Sequence, residues 1–143
     1  MIYLDSCALV KLIREEAESS ALQDWLDERV GVPMVTSELA HAEVPRVIRR
    51  NNHTDQGELI DSAKLTADLA EARIVLAAVG SIILDRELLA RAGALGEPMV
   101  RTLDAIHLAS AHEVDLAELD FVTYDHRLAV VAGNAGLRVV APS

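Results

Sequence analysis

Short β-rich runs alternate with longer stretches of helical period along the whole chain, and this alternation restricts the possible folds more than any other feature. Residues 2–5 (IYLD), 33–36 (PMVT), 81–84 (SIIL), 120–124 (DFVTY) and 137–140 (LRVV) read as strands. Between them, residues 6–13 and 19–29 predict two helices, Ser37 is a plausible N-cap for a third, and a longer helix follows Gly57. In that longer helix Leu65, Leu69, Ala72 and Leu76 form the apolar stripe, which assigns Asp61, Lys64, Asp68 and Glu71 to the wet side. Further helices are expected over 85–92, 102–113 and 126–134, the last ended by Gly133 and Gly136. Such alternation favours an α/β fold built on a parallel sheet.

Pro45 is a local anomaly. Well inside the third helix, it removes a backbone donor and crowds the carbonyl of His41, so either a kink beside Glu43 or a break into two shorter helices is expected.

With 143 residues, 51% of them hydrophobic, the chain can bury a substantial core as one domain spanning 1–143. The lone Cys7 has no internal disulfide partner, which suits a reducing cytoplasm. No secretory signal pattern precedes MIYLD, and the most apolar segment, 74–84, is too short to cross a bilayer and reads as core. A formal net charge of −10 counts against non-specific coating of nucleic acid, which needs a basic field. A local cradle remains compatible with it. Arg46, Arg49 and Arg50 share helical spacing shortly after Glu43, and Lys11 and Arg14 lie near Asp5; they form either a phosphate-binding set or a solvated helix face.

Four acids carry the chemistry: Asp5 in MIYLD, Glu43 in SELAHAEV, Asp104 in RTLDAIHLA and Asp125 in DFVTYDHRL. Each is set among apolar neighbours. Buried carboxylates must be paired, protonated or metal-bound, and several together repel, so a shared divalent cation would resolve the cost. In an open parallel sheet, ligands bind beyond the carboxyl ends of the strands where strand order reverses, which is where Asp5 and Asp125 are expected. Oxygen ligands without a Cys or His cluster suit Mg²⁺ or Mn²⁺ better than zinc and point to hydrolysis of phosphate esters. Asp5, Asp104 and Asp125 are then the expected ligands, with Glu43 a further ligand or the group that orients the attacking water. Ser6 and Thr123 are expected to support those acids or orient substrate, and Lys11, Arg46, Arg49 and Arg50 to bind it.

Each acid also has a plainer reading. Asp5 and Asp125 can simply cap the helices that follow them, Glu43 can be a solvated helix residue, and Asp104 an early-helix acid favoured by the dipole. His107 reads as a hydrogen-bonded packing histidine, Cys7 as a small buried thiol, and Trp25 as a core or partner contact.

The segments MIYLDSCALVKL, SELAHAEV, RTLDAIHLASA and FVTYDHRLAVVAGNAGLRV resemble, in order and spacing, the PIN-domain ribonucleases of the VapC toxin type. The likeness covers essentially the whole chain. It implies a three-layer α/β/α sandwich and an Mg²⁺- or Mn²⁺-dependent endoribonuclease, with Asp5, Glu43, Asp104 and Asp125 at the family's acidic positions and Thr123 at its hydroxyl position. It also implies a cytoplasmic homodimer, a VapB-type antitoxin whose C-terminal segment covers the pocket, and a structured RNA target such as tRNA or rRNA. Two departures stand out: Cys7 where many relatives carry Ser or Asn, and Pro45 close to Glu43. The competing readings are a metal-dependent phosphatase or phosphoacceptor with an aspartate nucleophile, and a catalytically silent module that keeps the metal pocket.

Overall fold

The computed structural model describes residues 1–114 and 116–143, with no account of the Leu116 side chain. A five-stranded sheet in the order β3-β2-β1-β4-β5 forms its centre. The strands are β1 (Ile2–Leu4), β2 (Met34–Ser37), β3 (Gly80–Ile82), β4 (Asp120–Val122) and β5 (Arg138–Val140), all paired in parallel. The helices are α1 (Ser6–Ile13), α2 (Ser19–Asp27), α3 (Ala40–Asn51), α4 (Ser62–Ala78), α5 (Arg86–Gly93), α6 (Thr102–Ala111) and α7 (His126–Asn134). None of them is long and apolar enough to cross a membrane.

Strand residues sort by the two-residue period of a pleated sheet. Ile2, Leu4 and Val122 pack with Leu9, Val44, Ile48, Ala72 and Leu76, which puts α1, α3 and α4 on one face. Tyr3 and Phe121 point the other way, into a cluster with Leu108 of α6 and Leu128 and Ala132 of α7. Helix α5 leans on α6 through Leu88, Ala92, Ala105 and Ile106. The result is the three-layer α/β/α sandwich expected from the sequence.

The chain leaves β1 toward β2 and β3 on one side, then returns to place β4 and β5 on the other. Strand order therefore reverses between β1 and β4, and a crevice opens beyond their carboxyl ends. Register fixes what meets there: Leu4 pairs with Val122, so Asp5 and Thr123 leave the sheet side by side.

Three local expectations need correction. Ser37 ends β2 instead of capping α3, although its hydroxyl still accepts the Leu39 amide at 3.3 Å. Pro45 lies within a continuous α3, so the break into two helices does not occur; the His41 carbonyl merely lacks its usual donor. Asp68 is buried, not wet, because α4 is covered by both α1 and α3 and its polar side includes part of that seam. The end of α7 follows expectation: Gly136, at φ +86°, closes it with Leu137 N–H on the Ala132 carbonyl and its own N–H on that of Gly133.

Candidate active site

All four acids stand at the starts of helices. Asp5 caps α1 through the Ala8 amide at 2.8 Å, and Asp125 caps α7 through the Arg127 and Leu128 amides at 2.8 and 3.1 Å. Glu43 and Asp104 lie in the first turns of α3 and α6. A helix start combines unpaired amides with the positive end of the dipole, so it tolerates carboxylates that would otherwise repel. Capping thus does not compete with a role in the site. In Asp125, Oδ1 takes both amides and Oδ2 is left for the crevice.

Asp5 is 2% exposed. Its Oδ2 accepts from Thr123 Oγ1 at 2.5 Å, and the Cys7 thiol lies 3.1 and 3.0 Å from its two oxygens. Burial raises its carboxyl above the ordinary range, and the donors from Cys7, Thr123 and Ala8 offset only part of that. Burial, reinforced by the Asp5 charge, pushes the Cys7 thiol up to about 12, so it stays protonated and acts as a donor. Thr123 Oγ1 also accepts the Asp125 amide at 3.1 Å, linking the two acids through one hydroxyl.

Glu43 Oε2 accepts from Ser6 Oγ at 2.5 Å and bonds His107 Nε2 at 2.8 Å. Burial pushes its carboxyl up, but the bonds from His107 and Ser6 prevail and hold it below the ordinary value. The opposite balance holds at Asp104, raised first by burial and then by the nearby charge of Asp125, with Arg101 and His107 pulling the other way.

Glu43, Asp104 and Asp125 line a single cleft of about 900 Å³. Arg46, Arg49, Arg50 and His53 line it from α3 and the turn beyond, and Arg101 and Thr102 from the start of α6. Asp5 does not line this cleft; it lies buried and reaches the edge through Thr123. Asp85, by contrast, caps α5 after the edge strand β3 and stays outside the cleft, which shows that a carboxylate at a helix start is not sufficient.

A PIN-domain family model matches residues 2–134. The chain belongs to the PIN-domain family. It is 42% identical over 144 residues to Ribonuclease VapC35 of Mycobacterium tuberculosis, covering 99% of this chain and 97% of that protein. Ribonuclease VapC46 of the same organism is also 42% identical over 144 residues, covering 99% and 98%. Among solved structures, VapBC2 from Rickettsia felis bound to a promoter DNA fragment superposes with a TM-score of 0.68 over 100% of both chains, at 15% identity, a likeness of fold alone.

Within this PIN fold, the cleft gathers Glu43, Asp104, Asp125, Arg46, Arg49 and Arg50 from the residues expected to act together. Lys11 is not among them. Its ammonium turns to Glu18 at 2.9 Å, the Ala17 carbonyl at 2.7 Å and the Tyr124 ring at 4.8 Å, so it clamps the α1–α2 turn. Arg14 likewise goes to Asp68, at 3.6 Å. Sequence reasoning missed Arg101 and His53 as cleft residues and the bond from His107 to Glu43. Two signals were available: Arg101 precedes a helix start bearing an acid, and His53 follows Arg49 and Arg50 at helical spacing.

The donor set suits a hard cation. It offers carboxylate oxygens, with Asp104 raised in part by the charge of Asp125, and no thiolate. Among the described residues no three His, Cys, Asp or Glu side chains are grouped so as to hold a metal ion between them. Such an open set suits a divalent cation that keeps several waters and is held by one or two carboxylates plus substrate phosphate.

Proposed function

We propose that this chain is a metal-dependent endoribonuclease toxin, neutralised by a VapB-type antitoxin. The carrying observation is the convergence of Glu43, Asp104 and Asp125 on one arginine-lined cleft at the point where strand order reverses. Kinship with ribonucleases at 42% identity over nearly the whole chain supports the same reading.

Asp104 and Asp125 would hold Mg²⁺ or Mn²⁺, and Asp5, buried outside the cleft with donors on both oxygens, would reach that pair through Thr123. A divalent ion held there would supply positive charge for the scissile phosphate and lower the pKa of a water that attacks it. Glu43, with Oε2 pinned by Ser6 and His107, offers Oε1 to orient that water and take its proton. Arg46, Arg49, Arg50 and Arg101 meet the phosphates on either side, giving a locally basic wall on an acidic protein. Thr123 keeps Asp5 and Asp125 in fixed relation. A cytoplasmic homodimer acting on a structured RNA, tRNA or rRNA, completes the reading.

A phosphoacceptor is disfavoured by Asp5 itself. A nucleophilic aspartate must reach substrate, and this one is buried with donors on both oxygens.

The partner-free protein is expected to cleave RNA with added Mg²⁺ or Mn²⁺ and to stop when EDTA is added or Asp104 is replaced by Asn. Cleavage that persists in both controls overturns the assignment. A folded protein that binds neither ion and cuts no RNA is the silent module instead. Co-expression with a neighbouring small reading frame should give a complex in which cleavage is suppressed.

A further inference from the structure

Tyr3 and His107 are buried polar groups that join Glu43 to the centre of the sheet. The Tyr3 ring stacks on Phe121, with centroids 5.1 Å apart and an interplanar angle of 10°, and meets the His107 imidazole edge-on at 87°. Tyr3 OH lies 2.8 Å from His107 Nδ1, and His107 Nε2 lies 2.8 Å from Glu43 Oε2. Three elements, β1, α6 and α3, therefore meet in one chain of hydrogen bonds, and Ser6 of α1 adds a second donor to the same carboxylate oxygen.

The direction of the chain follows from chemistry. A carboxylate only accepts, so the His107 nitrogen that faces Glu43 Oε2 is the one that carries the hydrogen, and Nδ1 of the neutral ring is left to accept from the Tyr3 phenol. An imidazole that accepts at Nδ1 carries its hydrogen on Nε2, and that hydrogen points at Glu43 Oε2. Without the phenol, the two neutral tautomers compete, and one of them turns a lone pair toward the carboxylate.

We propose that Tyr3 is a positioning residue for RNA cleavage: its phenol fixes the His107 tautomer that pins Glu43 Oε2 and so leaves Oε1 aimed into the cleft. This rests on Glu43 as the group that orients the attacking water. The stack on Phe121 and the edge contact to His107 survive without the hydroxyl, which is shared between His107 and Ser110, so kcat and the dependence on Glu43, not stability, separate the relay from a core role. The phenol is what the relay adds.

Tyr3→Phe separates the two. Cleavage of a fluorogenic mixed-sequence RNA oligomer with Mn²⁺ is expected to lose roughly tenfold in kcat with KM unchanged, which is the signature of an interaction made only in the transition state. In the Glu43→Gln background, the same change should cost less than about twofold, because groups acting through one residue are non-additive. His107→Gln, which keeps a donor for Glu43 and needs no tautomer, should retain more activity than His107→Ala and be insensitive to Tyr3→Phe. Two results overturn the relay: an unchanged kcat in Tyr3→Phe, or an equal loss in the presence and absence of Glu43. If Glu43→Gln alone cleaves at the wild-type rate, the role of Glu43 in the site falls, and the relay falls with it for that separate reason. Far-ultraviolet circular dichroism and unfolding midpoints confirm that each variant is folded before rates are compared.

Discussion

Thr123 donates its hydroxyl to Asp5 Oδ2 at 2.5 Å across the junction of the two central strands. Parallel register makes this contact, since Leu4 and Val122 are partners and the next residues of each strand emerge together. Thr123 Oγ1 also accepts the Asp125 amide, so a single hydroxyl serves two acids. Thr123→Val preserves shape and removes both bonds, leaving Asp5 Oδ2 with the Cys7 thiol as its remaining donor and the Asp125 amide without this acceptor. It should cost about 1.5–3 kcal/mol in denaturant unfolding, in the range for a lost bond to a charged group. Thr123→Ser keeps the hydroxyl and should cost no more than about 1 kcal/mol, the value of one buried methyl group.

Asp5 makes the stability of the metal-free protein depend on pH with a definite sign. Its folded carboxyl is raised by burial, so the folded state binds the proton more tightly than the unfolded chain does. Below the unfolded value, both states are protonated and no penalty exists. As pH rises from there through the folded value, stability falls, and above it the full cost of a buried charge remains. Asp5→Asn removes that cost. Its unfolding midpoint in EDTA should exceed that of the wild type by a few degrees at neutral pH, and the gap should close as pH drops through this window. Glu43, lowered in the fold, has the opposite slope, but it is common to both proteins and cancels in the difference. A gap that stays constant with pH would show that Asp5 does not titrate as its burial requires.

Asp104 is raised by burial and then by Asp125, a relation that costs stability in the absence of a cation. Asp104→Asn should therefore unfold no lower than the wild type while cleaving RNA at least about a hundredfold more slowly, the scale on which preorganised electrostatic groups act. Rates and unfolding midpoints on one preparation check both halves. Loss of activity together with a collapsed midpoint would make Asp104 a structural residue.

The alternation of strands and helices was readable because each element obeys a simple period, and the placement of Asp5 and Asp125 at strand ends followed from it. Glu43 and Asp104 were readable as acids among apolar neighbours, but not the asymmetry between them: whether burial or hydrogen bonding prevails depends on His107 and Ser6, which come from other elements. Lys11 was assigned toward substrate from its proximity to Asp5, whereas the turn at Ala17 and Glu18 draws its ammonium away. Arg101 carried no periodic signal, since a residue beside a helix end can face either side of the edge, whereas His53 continues the helical spacing of Arg46, Arg49 and Arg50 and was legible from it. Asp68 was misplaced because a helical wheel assumes one covered face, and α4 has two neighbours.

The Asp68 carboxylate holds together a charged seam remote from the cleft. It accepts from Asn52 Nδ2 at 3.0 Å and faces Lys64 Nζ at 3.3 Å and Arg14 Nη1 at 3.6 Å. The Arg14 and Asp68 side chains are 17% and 9% exposed, and Arg14 Nη1 is buried without a hydrogen bond, so the ionic contact is what compensates it. Asp68→Ala removes that compensation and leaves a guanidinium against the apolar seam of α1, α3 and α4. Breaking one side of such a pair typically costs about 3–5 kcal/mol, whereas replacing both partners with apolar groups of similar volume is often neutral or better. Asp68→Ala should thus destabilise the fold by roughly 3 kcal/mol, and Arg14→Met with Asp68→Leu should recover most of the loss. Neither residue lines the cleft, so RNA cleavage per folded molecule should stay at the wild-type rate in the double variant. Denaturant curves for Arg14→Met, Asp68→Leu and the variant with both test the argument: additive losses would mean that Arg14 and Asp68 contribute independently and that the contact between them carries none of the stability.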